Sequence, residues 1–120
     1  MSIIDDPTIT ALSCFLDVNV FRSELVMSNM ANIDTPGYRT QDVNFKQEME
    51  RASGNMEYAS FTPAAHQVRG LMERPDGNNV SLERESLLLA DTQLRFNLGV
   101  QLLRDEFKSI LSAIHEGSAS

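Results

Sequence analysis

The chain has no tryptophan, a single cysteine, two histidines and fewer basic than acidic side chains, 10 Lys and Arg against 17 Asp and Glu. Each shortage excludes something. One cysteine, Cys14, cannot form an internal disulfide or a multi-cysteine metal site. The net charge of −7 and the isoelectric point near 4.7 count against a nucleic-acid binder, which needs a clustered basic face. The basic residues do not cluster: residues 1–34 hold one against five acids, 35–79 five against six, and 80–120 four against six. No apolar run reaches the roughly 18 residues of a membrane span. Met1-Ser2-Ile3-Ile4-Asp5-Asp6-Pro7 lacks the basic and apolar regions of a cleavable secretory signal. Taken alone, that suggests cytoplasmic residence, although export by a route that cleaves nothing stays open. Aromatics make up only 7% of the 120 residues, so aromatic anchors do not dominate any core.

What the chain does contain is helical periodicity at both ends. After Pro7, with Thr8 or Thr10 as the expected cap, apolar residues recur at steps of three and four: Ile9, Leu12, Leu16, Val26, Met30 and Ile33. Asn19 and Ser23 occupy the two polar slots of that ladder, where a polar side chain either sets register when buried or faces solvent. Pro36 ends the helix near Ala31-Asn32. At the other end, Asn78 or Ser81 can cap a helix whose first turn carries Glu83 and Glu85, the sign that the helix dipole favours. Phe96, Val100, Leu103, Phe107, Ile110 and Ile114 then follow at steps of four and three. Gln93 interrupts the ladder further back, and Leu87, Leu94, Leu98, Leu102 and Leu111 widen it beyond a two-helix seam. Gly117 is the expected stop. The spacing therefore predicts an all-α chain: an N-terminal helix over 1–34, a turn and irregular segment over 35–79, and a C-terminal helix over 80–120, forming one structural unit with a coiled-coil-like helix pair. Within the middle, Phe45–Ala52 can form a short helix. Met56, Tyr58, Phe61, Val68, Leu71 and Met72 give the rest enough apolar surface to order against a partner.

No constellation meets the needs of an active site. His66 and His115 have no ligand partners at metal spacing, and Cys14 sits among Leu12, Phe15 and Leu16 with no base nearby. Carboxylates such as Asp5-Asp6, Glu83/Glu85 and Asp105-Glu106 are too close in sequence to face each other on a helix. The glycines show no phosphate-cradling spacing. Catalytic, cofactor-binding and metal residues are accordingly expected to be absent. The two terminal helices carry more apolar arc than they can cover for each other, which points to intermolecular packing.

One short segment is distinctive. In Thr35-Pro36-Gly37-Tyr38, Pro presets φ at the second position of a type II turn and Gly accepts the positive φ at the third. Asp34 and Thr35 can bond nearby backbone and help to end the helix, and Tyr38 projects a large ring just beyond it. Ser28-Asn29-Met30-Ala31-Asn32-Ile33-Asp34-Thr35-Pro36-Gly37-Tyr38-Arg39, closing a long N-terminal helix, resembles the signature of the bacterial flagellar rod and hook proteins. With Gln41-Asp42-Val43-Asn44-Phe45, and with Gly77-Asn78-Asn79-Val80-Ser81-Leu82-Glu83-Arg84-Glu85 leading into a helix that ends near Leu111-Ser112-Ala113-Ile114, it is similar to the proximal-rod members. The likeness runs from about residue 8 to 114, and Gly54 to Arg74 carries no matching motif.

The resemblance implies a non-catalytic subunit of the rod, the drive shaft between the inner-membrane ring and the hook. It also implies export by the flagellar type III apparatus without a cleaved signal, location in the periplasmic rod of the basal body, and terminal helices that pack in the assembled tube. The implied partners are further copies of the chain, other rod proteins, a rod-base adaptor, the membrane ring and the export gate, with no nucleic acid, small-molecule substrate or cofactor. Asn32, Asp34, Thr35, Pro36, Gly37 and Tyr38 would form an assembly turn. Leu12, Leu16, Val26, Met30, Phe96, Val100, Leu103, Phe107, Ile110 and Ile114 would form the packing stripes. A cytoplasmic helical adaptor or export chaperone is the alternative reading, and a small hydrolase has no site to support it.

Overall fold

A computed structural model describes residues 6–54 and 61–119; the side chains of 53, 54, 118 and 119 and the residues Met56 and Tyr58 lie outside that description. Helix α1 spans Pro7–Ala31, strand β1 Gln41–Asp42, helix α2 Phe45–Gly54, strand β2 His66–Gln67 and helix α3 Leu82–Ala119. The described residues are all-α apart from β1 and β2, which pair antiparallel with Gln41 opposite Gln67.

The two long helices begin differently from each other. Asp6, not Thr8 or Thr10, caps α1: its Oδ1 accepts the N–H groups of Thr8 at 2.8 Å and Ile9 at 3.0 Å. Pro7 explains the shift, because its preset φ and missing N–H suit the first helical position, so the helix begins at the proline. For α3 the cap is Ser81, whose Oγ accepts from Arg84 N at 3.2 Å. Gly117 does not stop α3, which runs on to Ala119; positive φ is confined, among the described glycines, to Gly37, Gly70 and Gly77.

Helices α1 and α3 pack antiparallel. Asn29, near the end of α1, bonds Glu85 near the start of α3, while Gly99 lies against Phe15 and Leu16. A Cβ on Gly99 would sit 2.8 Å from Leu16 Cδ2 and 3.0 Å from the Phe15 ring, so the glycine permits this approach. Extending that register places Pro7 level with about residue 107, leaving the last turns of α3 projecting past α1. The molecule is long, 71 × 26 × 18 Å, and its radius of gyration of 18.5 Å exceeds the roughly 14 Å of a compact chain of this length. Helix α2, capped by Asn44 through Gln47 N at 3.0 Å, docks on α1 by an edge-on contact of Phe45 with Phe15 at 5.3 Å.

The fully buried positions of α3 in the α1–α3 seam carry little hydrocarbon. On α3 the buried line is Glu85, Thr92 and Gly99, seven residues apart and none of them a large apolar side chain. On α1 the buried set is Ile9, Cys14, Val18, Asn19, Val26 and Asn29. The chain exposes 8015 Å², where a compact monomer of 13.4 kDa exposes about 6,500 Å².

Candidate assembly junction

At the C-terminus of α1 the helix leaves carbonyls without intrahelical partners, and these must be bonded or solvated. Asn32 begins the task as C-cap, with its Nδ2 donating to Ser28 O at 2.8 Å and its Oδ1 accepting from Thr35 Oγ1 at 3.0 Å. Beyond it Thr35-Pro36-Gly37-Tyr38 closes as a turn through Tyr38 N to Thr35 O, 3.2 Å, with Gly37 at φ +75°. Asp34, Thr35, Pro36 and Gly37 are exposed, and Asn32 and Tyr38 half-buried.

The second sequence motif folds onto the first. Asn78, fully buried, donates from Nδ2 to Asn32 O at 2.9 Å and to Thr35 O at 2.8 Å. It thereby satisfies carbonyls at the helix end from a position 46 residues further along the chain. Its own Oδ1 accepts from Val80 N at 2.8 Å. Arg74 reaches Ile33 O, Gly37 N donates to Asp76 O at 2.9 Å, and Asn79 Oδ1 accepts from Thr40 N at 2.6 Å. Gly77, at φ +87°, faces Gly37: a Cβ on Gly77 would lie 3.5 Å from Gly37 Cα. The stretches 32–38 and 76–80 are thus one structure.

Beneath this junction lies a buried polar layer. Asn29 uses its whole hydrogen-bonding capacity. Its Nδ2 donates to Gln41 O at 2.8 Å and Glu85 Oε2 at 3.1 Å. Its Oδ1 accepts from Tyr38 Oη at 2.9 Å and Gln41 N at 3.1 Å. Toward β1 the amide group therefore bonds as a neighbouring strand's peptide would. Glu85, 0% exposed, also holds Arg84 Nη1 at 2.8 Å. Asp42 bridges Arg22 at 3.1 Å and Arg84 at 2.8 Å. The chain Arg22–Asp42–Arg84–Glu85–Asn29–Tyr38 consequently ties α1, β1, the turn and α3 together, with two acids balancing two bases.

Burial alone would push the Asp42 carboxyl up. The bonds from Arg22 and from Val43 N–H, the Arg22 charge and the Arg84 bond outweigh it and hold the carboxyl below its ordinary value. A group depressed in the folded state stabilises the fold above its unfolded pKa, and that contribution disappears as pH falls through the folded value. The gap in melting temperature between wild type and Asp42→Asn is therefore expected to stay constant above about pH 5 and to narrow below about pH 4, the ordinary carboxylate range. Circular dichroism melts from acid to neutral pH read this directly.

The remaining sequence candidates run along α1 and α3. Val26 is buried, and Leu12, Leu16 and Met30 are half-buried. On α3, Val100, Leu103 and Ile110 are half-buried, while Phe96, Phe107 and Ile114 are exposed. Leu87, at 67% exposure, and Leu94, at 69%, are more open still, and Leu98 and Leu102 are exposed as well. Near the start of α3, Ser81, Glu83, Arg84, Leu87 and Leu88 line an open hollow of about 380 Å³. Cys14 is buried; burial, followed by the Asp17 charge, pushes its thiol up, away from the reactive thiolate. His66 and His115 are exposed. Among the described residues, no three His, Cys, Asp or Glu side chains gather as a metal site, and no helix is long and apolar enough to cross a membrane. The sequence singles out the turn but does not mark Arg22, Asn29, Asp42, Asn78, Arg84 and Glu85 as members of one site.

No family model matches the chain. Curated relatives do. The flagellar basal body rod protein FlgB of Yersinia enterocolitica is 29% identical over 122 residues, covering 85% of this chain and 89% of the relative. That of Salmonella typhimurium is 27% identical over 123 residues, covering 86% and 89%. That of Cereibacter sphaeroides is 33% identical over 105 residues, covering 78% and 82%.

Proposed function

Because this chain belongs to the family of flagellar basal body rod proteins FlgB, we propose that it is a non-catalytic structural subunit of the proximal rod in the bacterial flagellar basal body. Assembled with further copies and with other rod proteins, it forms part of the tubular drive shaft that transmits torque and encloses the export channel. It reaches the periplasmic rod through the flagellar type III apparatus, and it meets the rod-base adaptor, the membrane ring and the export gate at the inner end.

The strongest support is the set of apolar side chains that a single chain leaves uncovered on α3: Leu87, Leu94, Leu98 and Leu102 along one stripe, and Phe107, Leu111 and Ile114 toward its projecting end. Soluble monomers rarely expose so much contiguous apolar surface unless a partner covers it. Contacts between different patches of successive copies generate a helical array when the rotation does not close. In this reading segments 1–34 and 80–120 supply the helical wall and 35–79 joins them. The turn from Asn32 to Tyr38 fixes how the chain leaves the wall, and the flank from Phe96 to Ile114 contributes to packing.

Fractionation tests this. In a strain whose own copy is replaced by an epitope-tagged one, the protein is expected in purified basal bodies; recovery only from the cytosol overturns the rod assignment in favour of an adaptor. Replacing the turn, Pro36→Ala with Gly37→Val, is expected to abolish swimming while secretion of the variant continues. A β-branched residue does not fit φ +75°, and the turn would lose its fixed exit angle. Normal swimming of that variant would remove the assembly role of the turn.

A further inference from the structure

Two polar side chains sit in the α1–α3 seam without joining the helices. Asn19 is 0% and Thr92 1% exposed. Asn19 spends its Nδ2 on Phe15 O of its own helix, at 2.8 Å. Its Oδ1, and the hydroxyl of Thr92, find no partner among the described residues. The register set by Asn29–Glu85 and by Gly99 against Phe15 and Leu16 brings Thr92 to within about one turn of Asn19. Both polar groups therefore fall midway along the seam, between the bonded junction at one end and the glycine approach at the other. Asn19 also interrupts an apolar ladder on α1, and Thr92 is the middle member of the line Glu85, Thr92, Gly99.

A buried polar atom without a bond costs stability, and replacing it by an apolar group of similar shape removes that cost. The seam is thus weaker than helices of 25 and 38 residues can make it. Leu87, Leu94, Leu98 and Leu102, which could strengthen it, lie on α3 but elsewhere around the helix. We infer that Asn19 and Thr92 are a built-in weak point that holds the α1–α3 pair at reduced stability, so that the two helices can separate and re-pair as neighbouring subunits join. The inference rests on the rod reading for its purpose, though not for its physical core.

The test uses Asn19→Leu with Thr92→Val in the full chain, and Thr92→Val alone as the shape-conserving variant in case the pair misfolds. The double variant is expected to melt about 5 °C or more above wild type, and Thr92→Val by a smaller rise. In a strain lacking the gene, the double variant is expected to give swimming halos at least about twofold smaller than those the wild-type gene restores. No rise in melting temperature for either variant overturns the inference, and so does a raised melting temperature with full-sized halos. Failure of the wild-type gene itself to restore swimming would instead sink the rod reading.

Discussion

Replacing Asp42 by alanine is expected to destabilise the isolated chain by about 3 kcal/mol, lowering its melting temperature by roughly 10 °C or more. The size follows from what is left behind. Arg22 and Arg84 keep only 16% and 25% of their side-chain surface in water, and both point their guanidinium groups at this carboxylate. Without it, Arg22 loses the carboxylate that pairs it and faces Arg84, which retains only Glu85. Removing one partner of a buried pair costs far more than removing the whole pair, because the orphaned charge stays desolvated. The distinctive expectation is therefore non-additivity: Arg22→Met introduced beside Asp42→Ala restores part of the loss. A double-mutant cycle by chemical denaturation measures this. Purely additive losses, or a cost for Asp42→Ala below about 1 kcal/mol, a value typical of an exposed pair, would show that the layer contributes little.

Why the sequence disclosed the turn but not this layer follows from how each is encoded. Thr35-Pro36-Gly37-Tyr38 is local: φ preferences of adjacent residues define it, and the structure has Gly37 at φ +75° with the turn bond in place. The helix periods are local as well, and so is the Ser81 cap. By contrast, Asp42 meets Arg22 across 20 residues and Arg84 across 42, separations that no spacing rule selects. Arg84 and Glu85 are chain neighbours, and read along a helix they look like an ordinary solvated pair. Only docking of α3 onto α1 buries Glu85 and delivers it to Asn29. The same limit applies to α3. Its apolar ladder from Phe96 to Ile114 lies about 40° around the helix from the buried line, at 100° per residue. Hydrophobic periodicity weighs large apolar side chains, so it passes over a contact face made of Glu85, Thr92 and Gly99. The structure fixes that face through a hydrogen-bonded carboxylate, a small polar group and a glycine that lets the backbones close.

The same geometry separates folding from assembly on α3, and a charged pair on its outer stripe exposes the difference. Leu94 and Leu98 are 69% and 55% exposed, one helical turn apart, and rotated about 160° and about 120° from the seam. For the isolated chain, Leu94→Glu with Leu98→Glu is a surface change, expected to alter stability by less than about 1 kcal/mol. If neighbours cover this stripe, each leucine contributes about 1.5–3 kcal/mol of burial to the contact, and each new carboxylate adds the cost of leaving water. A combined loss above roughly 4 kcal/mol weakens one contact about a thousandfold, and an array repeats it at every subunit. The variant should therefore fold with an unchanged melting temperature, yet fail to enter basal bodies and leave cells non-swimming. Gln93→Glu, also on an exposed position of α3, adds a charge without removing apolar surface and is expected to swim. Normal swimming and normal recovery of the double variant in basal bodies would mean that the outer stripe stays in water after assembly, and the uncovered leucines would then no longer support the rod-subunit reading.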